Sequence, residues 1–93
     1  MTKPYTERTE IQHGTNREYL IREFSPDVPS DELVWHRDKR SRMVHVLSGN
    51  GWKLQKDDEL PEELIMGKDY YIRREQYHRL IKGENPLIVR IEQ

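Results

Sequence analysis

The segment VWHRDKRSRMVHVLSG, residues 34–49, places a histidine and an aspartate two positions apart, with an arginine four positions after the aspartate. Side chains at positions i and i+2 of a β-strand point to the same face, so His36 and Asp38 are expected to project together. If that face is the protein interior, burial of the carboxylate requires a compensating partner. Arg42, at the start of the next strand, is one such partner, and a divalent metal ion is the other. The residues alone leave both alternatives open.

The composition restricts the fold that can carry these residues. The chain has 93 residues, of which 33% are hydrophobic and 35% are charged, so it forms one small domain. A helical bundle needs several wide apolar stripes, and this composition supplies too few residues for its interior. We therefore expect a compact β-barrel. We also expect a homodimer, because a chain of this size and charge buries little surface alone.

Charge and cysteine content exclude several classes of function. Sixteen basic and seventeen acidic residues give a net charge of −1, which provides no field to hold a nucleic acid or an anionic membrane. The absence of cysteine excludes disulfides, thiolate metal sites and cysteine nucleophiles. The N-terminus lacks the apolar core of a signal peptide, and no segment approaches the roughly 18 apolar residues of a membrane span. We expect a soluble, cytoplasmic protein without a nucleic-acid or membrane partner.

Alternating apolar residues, divided by turn residues, predict about seven short strands. The predicted strands cover residues 17–24, 32–38, 42–48, 52–56, 69–74, 77–81 and 87–92. Between them lie the turn signals, which include two prolines in 25–31, the Gly-Asn-Gly run at 49–51 and an acidic loop at 57–64. This spacing is typical of an all-β sandwich or barrel. We assign residues 17–92 to the barrel of a single domain and residues 1–16 to an N-terminal edge strand or arm.

Two motifs in the chain share the spacing of a known family. The first runs His36-x-Asp38, three residues, Arg42, six residues, Gly49; the second runs Gly67, five residues, Arg73-x-Glu75, two residues, His78, three residues, Lys82. In this spacing, residues 30–92 resemble the cupins, small barrels of the double-stranded β-helix or jelly-roll type. The 17 residues between the motifs, 50–66, agree with the short intermotif spacing of that family. The resemblance implies a small cupin-type β-barrel.

The cupin pattern has four metal-ligand positions, and this sequence retains part of the set. His36 and His78 match, Asp38 stands where a second histidine is usual, and Arg42 stands where glutamate is usual. Arginine stays protonated and has no lone pair to offer a metal. The resemblance therefore implies a site of His36, Asp38 and His78, the two-histidine, one-carboxylate set of non-haem iron(II) oxygenases. Iron is the expected ion, with zinc, manganese and nickel as alternatives.

Three further residues are predicted to contact a small-molecule ligand. The planar fork of Arg42 matches a carboxylate bidentately, so Arg42 is expected to hold an acidic substrate. Trp52 and Tyr70 supply large apolar surfaces, and two interpretations remain open for them. They pack the barrel, or they line the mouth of its pocket and stack on the ligand.

Three functions from different classes agree with these predictions. The first is a metal-dependent oxygenase that acts on a small organic acid. The second is a metal-free module that binds a sugar or an organic acid, in which Arg42 and Asp38 neutralise each other. The third is a structural or regulatory dimer whose pocket is incidental. The fold does not select among them, because one fold hosts many functions.

Overall fold

The computed structural model describes residues 4–93, and its regular secondary structure is almost entirely β-strand. The strands are β1 (Tyr5–Gln12), β2 (Arg17–Phe24), β3 (Arg42–Ser48), β4 (Lys53–Lys56), β5 (Glu62–Glu63), β6 (Asp69–Ile72), β7 (His78–Ile81) and β8 (Leu87–Glu92). The one helical element in residues 4–93 is a 3₁₀ turn at Ser30–Glu32. No helix in this range is long and apolar enough to cross a membrane. The predicted all-β fold is confirmed. Residues 1–3 of the predicted N-terminal segment lie outside the described residues.

The strands form two antiparallel sheets that enclose one core. The larger sheet has the strand order β1-β2-β8-β3-β6, and the smaller sheet has the order β5-β4-β7. The last strand, β8, lies between β2 and β3. Strands from both ends of the sequence are therefore neighbours, and the core depends on contacts between distant segments.

Alternation along each strand directs one set of side chains into this core. In β8, Leu87, Val89 and Ile91 are buried, and the residues between them are only half-buried. Full burial of such an aliphatic side chain contributes about 1.5–3 kcal/mol. The same core contains, from the other strands and the turns beside them, Phe24, Val44, Val46, Trp52, Leu54, Leu64, Tyr70 and Ile72.

The predicted strands at 17–24, 42–48 and 87–92 have the observed bounds. The predicted strand at 32–38 is wrong. Glu32 and Leu33 donate their N–H groups to the carbonyls of Pro29 and Ser30, which turns the chain, and only His36 forms a β-bridge, with His78. The acidic loop predicted at 57–64 contains the two-residue strand β5.

Candidate functional site

A partly open cavity of about 350 Å³ lies between the two sheets. Most of its wall consists of aliphatic side chains from both sheets. The charged residues and histidines that line it, within residues 4–93, are Arg22, Glu32, His36, Asp38, Arg42 and His78. A large apolar surface with a few convergent polar groups is the usual composition of a small-molecule site.

His78 is the most firmly held of the three predicted metal ligands. It begins β7, where it pairs with Lys56 of β4, and only 5% of its surface is exposed. Its Nδ1 lies 2.8 Å from the carbonyl oxygen of Gln76. Because a carbonyl only accepts, Nδ1 carries the proton and Nε2 presents a lone pair. Burial lowers the pKa of His78, and the neighbouring His36 lowers it further, so the neutral ring is favoured.

His36 and Asp38 lie on an irregular segment beside β7. The backbone of His36 pairs with that of His78 through two hydrogen bonds of 3.0 and 2.9 Å. The Asp38 carbonyl accepts a hydrogen bond of 2.7 Å from the Glu75 N–H, which extends this contact. The Nδ1 of His36 lies 2.9 Å from the Val34 carbonyl oxygen. In its neutral form, His36 therefore also carries its proton on Nδ1, and its Nε2 then presents a lone pair.

The structure brings the three predicted ligands to one point. One ring nitrogen each of His36 and His78 and one carboxylate oxygen of Asp38 lie within 4.8 Å of one another. The distance from His78 Nε2 to Asp38 Oδ2 is 3.4 Å. Two ligands of a tetrahedral ion are also roughly 3.4 Å apart when each is about 2.1 Å from the metal. The spacing therefore suits two ligands of a single ion.

Two buried polar atoms in this site have no hydrogen-bond partner among the described residues. They are Asp38 Oδ2 and Arg42 Nε. Arg42 Nη1 lies 3.7 Å from Asp38 Oδ2, which is an ion-pair distance but too long for a hydrogen bond. Burial of a carboxylate oxygen without a donor or a cation in direct contact is costly. A metal ion would satisfy Asp38, and an anionic ligand would satisfy Arg42.

Arg42 keeps a positive charge beside the predicted ligands. Burial lowers the pKa of its guanidinium, and the Asp38 carboxylate opposes this effect. A guanidinium has so high an ordinary pKa that it remains protonated at neutral pH. Its side chain is 16% exposed, and it lines the cavity. The cavity wall therefore contains a side chain with a positive charge.

Arg22 is a cavity residue that the sequence reasoning missed. Its side chain is only 13% exposed and forms an ion pair with Glu7 of β1. Its guanidinium carbon lies 4.2 Å from the centre of the Tyr5 ring. The signal was the alternation in β2, which places Arg22 on the same face as Leu20 and Phe24. A charged residue on an apolar strand face indicates a specific partner inside the barrel.

Trp52 and Tyr70 are not among the described residues that line the cavity. Trp52 is fully buried, and its indole N–H donates to the Asn85 carbonyl. The Tyr70 hydroxyl accepts from the Ile65 N–H at 2.8 Å and donates to the Glu63 carbonyl at 2.9 Å. Both placements correspond to the packing interpretation of these aromatic residues.

No protein-family model and no curated protein matches the sequence. Solved structures do share its fold. A protein of unknown function (DUF1255) from Acidithiobacillus ferrooxidans is 19% identical, with a TM-score of 0.78 over 97% of this chain and 78% of that chain. A cupin-2 domain containing protein from Shewanella frigidimarina is 18% identical, with a TM-score of 0.70 over 99% of this chain and 83% of that chain. HppE, solved with cobalt(II) and its substrate, is 15% identical, with a TM-score of 0.67 over 94% of this chain and 50% of that chain.

These similarities define a fold class. At such low identity they establish the architecture and not the activity. The chain has a cupin-type β-barrel, as the resemblance of its two motifs predicted. Inside this barrel, His36, Asp38 and His78 form a group that could hold a metal ion.

Proposed function

We propose that this protein binds one divalent metal ion through His36, Asp38 and His78, and a small organic acid in the adjoining cavity. One observation supports the metal site most strongly. Asp38 Oδ2 is buried, has no hydrogen-bond partner among the described residues, and lies 3.4 Å from His78 Nε2. Direct contact with a cation removes the cost of burying such an oxygen. HppE, whose barrel is similar, was solved with cobalt(II).

The hydrogen bonds of the two histidines also support a metal site. Each Nδ1 is held by a backbone carbonyl, that of Val34 for His36 and that of Gln76 for His78. Metal-ligating histidines almost always donate their second N–H in this way, because the bond fixes the ring orientation and the tautomer. Both Nε2 atoms are therefore prepared to act as ligands before any ion binds.

The set of two histidines and one carboxylate determines the chemistry that we propose. A bound divalent ion supplies Lewis acidity, and iron(II) in such a set supports oxidation by dioxygen with coordination positions left for the substrate. Iron is the ion that we propose, with zinc, manganese or nickel as alternatives. The proposed reaction is the oxidation of a small organic acid.

The charge of the site favours an anionic ligand. A divalent ion and Arg42 together carry three positive charges, and Asp38 supplies one negative charge, since histidines bind a metal as neutral rings. A carboxylate reduces this excess and accepts hydrogen bonds from the fork of Arg42, whose Nε is unpartnered among residues 4–93. Arg42 would therefore bind and orient the acid, while Asp38 and the histidines hold the ion.

The cavity wall limits the size and polarity of this acid. Its volume of about 350 Å³ is near the lower end of the range for ligand pockets. Away from the polar group, aliphatic residues such as Leu54, Leu80 and Val89 form the wall. They would contact a hydrocarbon body and exclude water from it. The ligand that fits best is a small carboxylic acid with an apolar body.

Metal analysis of the protein purified without chelator tests the site. We expect about one divalent ion per chain in the wild type and a loss of at least tenfold in His36→Ala, Asp38→Ala and His78→Ala. His45→Ala is the matched control, because His45 lies on β3 and pairs with Asp69 instead of the site. A wild-type content well below one, after reconstitution with iron(II) under nitrogen as well, would refute the proposal. Retention of metal in His78→Ala would show that the ligands are misassigned.

A metal-free binding module is the second candidate function. The Asp38–Arg42 pair favours it, because at 3.7 Å the two charges already offset each other. Thermal-shift measurements with small acids and sugars, with and without EDTA, separate the two functions. In the metal-free case, EDTA leaves the stabilisation by a ligand unchanged. In the metal-dependent case, EDTA abolishes it, whereas Arg42→Gln retains the metal and loses only the response to acids.

A further inference from the structure

The free edge of β1 differs from the other sheet edges of the molecule. β1 is eight residues long, and residues 6–12 are all exposed. It pairs with β2 on one side and with no other strand in residues 4–93. The strands at the other ends of the two sheets are shorter, with four residues in β6, two in β5 and four in β7, which is covered further by the His36 bridge.

Proteins usually protect a sheet edge, because its unpaired N–H and C=O groups can bind another strand. A short edge, charged side chains, a proline, a bulge or an inward charge provides such protection. β1 is long, contains no proline or glycine, and pairs with β2 in a continuous register from Tyr5 to Gln12. Neither length nor geometry therefore protects this edge, and its charged residues, Glu7, Arg8 and Glu10, restrict which strand can add to it.

The charges of β1 select one partner and one register. If a second β1 packs antiparallel around a two-fold axis, residues directly opposite each other must lie on the same face. An axis through Thr9 places Arg8 of each copy opposite Glu10 of the other. Axes through Glu7, Arg8 or Glu10 place like charges opposite each other, which is destabilising. Axes through Thr6 or Ile11 place no charged residues of β1 opposite each other, so among axes through residues 6–11 only the one through Thr9 brings opposite charges together.

Within one chain, Arg8 and Glu10 already form an ion pair, and the same two residues would meet the second copy. Arg8 Nη1 lies 3.1 Å from Glu10 Oε2, and both side chains are at least half exposed, at 67% and 50%. In the Thr9 register, two such pairs meet and form a ring of four alternating charges. Glu7 faces Ile11 of the second copy in this register, and its charge is already paired with Arg22 of its own chain. The arrangement is therefore isologous and leaves no carboxylate of β1 without a counter-charge.

We propose that β1 pairs antiparallel with β1 of a second copy of this chain, centred on Thr9, so that the two five-stranded sheets continue as one. The cavity lies between the two sheets of one chain, whereas the proposed pairing uses the free edge of β1. The contact consists mainly of backbone hydrogen bonds and exposed ion pairs. Its strength should therefore fall with dilution and with added salt.

Charge-reversal variants test this register. Sedimentation equilibrium of the wild type at low salt should give a concentration-dependent mass that approaches twice 11.3 kDa. Arg8→Glu and Glu10→Arg should each remain at 11.3 kDa, because each one creates two like-charge pairs. The double variant R8E/E10R should recover the dimer. An equimolar mixture of the two single variants should also form it, because the two carboxylates of one chain then face the two guanidinium groups of the other.

Lys39→Glu is the matched control, since Lys39 is exposed in the turn before β3 and undergoes the same change of charge as Arg8→Glu. We expect it to dimerise like the wild type, and circular dichroism checks that every variant keeps its β-structure. A wild type that stays monomeric up to millimolar concentration would overturn the proposal. So would single variants that dimerise as well as the wild type, because the interface would then lie elsewhere.

Discussion

The two parts of the candidate site are held in different ways. His78 belongs to β7, is 5% exposed, and pairs with β4 on one side and His36 on the other. His36 and Asp38 belong to an irregular segment that contacts β7 through the bridge at His36 and the hydrogen bond from Glu75 to Asp38. One of the three proposed ligands is thus part of a sheet, and the other two are attached to its edge.

Side chains on the outer surface strengthen this attachment. The guanidinium carbon of Arg79 lies 4.8 Å from the centre of the Trp35 ring, and that of Arg37 lies 5.3 Å from the centre of the Tyr77 ring. Each of these contacts joins the segment to the strand region that contains His78. We infer that the sheet positions His78 by itself, whereas the segment depends on these contacts and, under the proposed function, on a bound ion as well.

Among these predictions, removal of Asp38 should give the largest decrease in the free energy of unfolding. Asp38→Ala leaves Arg42 as a largely buried cation without its carboxylate, and loss of one partner of a buried pair costs about 3–5 kcal/mol. Because both side chains keep some exposure, we expect the free energy of unfolding to fall by the lower part of that range, about 3 kcal/mol. Urea denaturation measures it. The double variant D38A/R42A should be more stable than Asp38→Ala, and an equal or larger loss would contradict this explanation.

Addition of metal should reduce the difference in hydrogen-exchange protection between β7 and the segment that contains His36 and Asp38. An ion present at 100 times its dissociation constant stabilises the folded state by about 2.7 kcal/mol. In hydrogen exchange, amides of residues 34–38 should exchange faster than those of β7 without metal and slow markedly with it. Amides of β7 should change less. Equal protection of both regions in the metal-free protein would mean that the segment is already as firmly held as the strand.

Removal of the outer aromatic contacts should weaken metal binding with little effect on the fold. Trp35→Ala and Tyr77→Ala each delete a cation–π contact worth roughly 0.5–1 kcal/mol at an exposed site. We expect metal affinity to fall about two- to fivefold, which is the free energy of the lost contact expressed as a ratio of affinities. Competition with a chromogenic chelator measures it. Tyr71→Ala, which removes an exposed aromatic side chain on β6, should bind metal like the wild type.

The pH dependence of stability gives the smallest expected effect. Burial lowers the pKa of His78 in the folded state below its ordinary value of 6.5, so the unfolded chain binds its proton first as the pH falls. The contribution of the neutral ring is complete above pH 6.5 and is lost as the pH falls through the folded-state pKa. Urea denaturation with EDTA at pH 7.5 and pH 5 should show a smaller acid-induced loss in His78→Gln than in the wild type. An equal loss would place the responsible group elsewhere.

The local sequence pattern was sufficient to predict several of the strands. Residues 17–24, 42–48 and 87–92 alternate apolar and polar side chains between strong turn signals, and both features depend only on neighbouring residues. The strand predicted at 32–38 failed, because a pairing partner decides whether an extended segment becomes a strand. That partner is available only at His36.

The candidate site also depends partly on local sequence and partly on tertiary structure. The sequence by itself determined the residue types, namely two histidines and one carboxylate at a spacing that resembles the cupin motifs, and an arginine close to them. Tertiary structure decided that His36 and His78 pair across the edge of β7, that Arg22 enters the cavity, and that Trp52 and Tyr70 stay outside its lining. The physical reason is that these outcomes depend on the register between strands far apart in the chain, which no local pattern encodes.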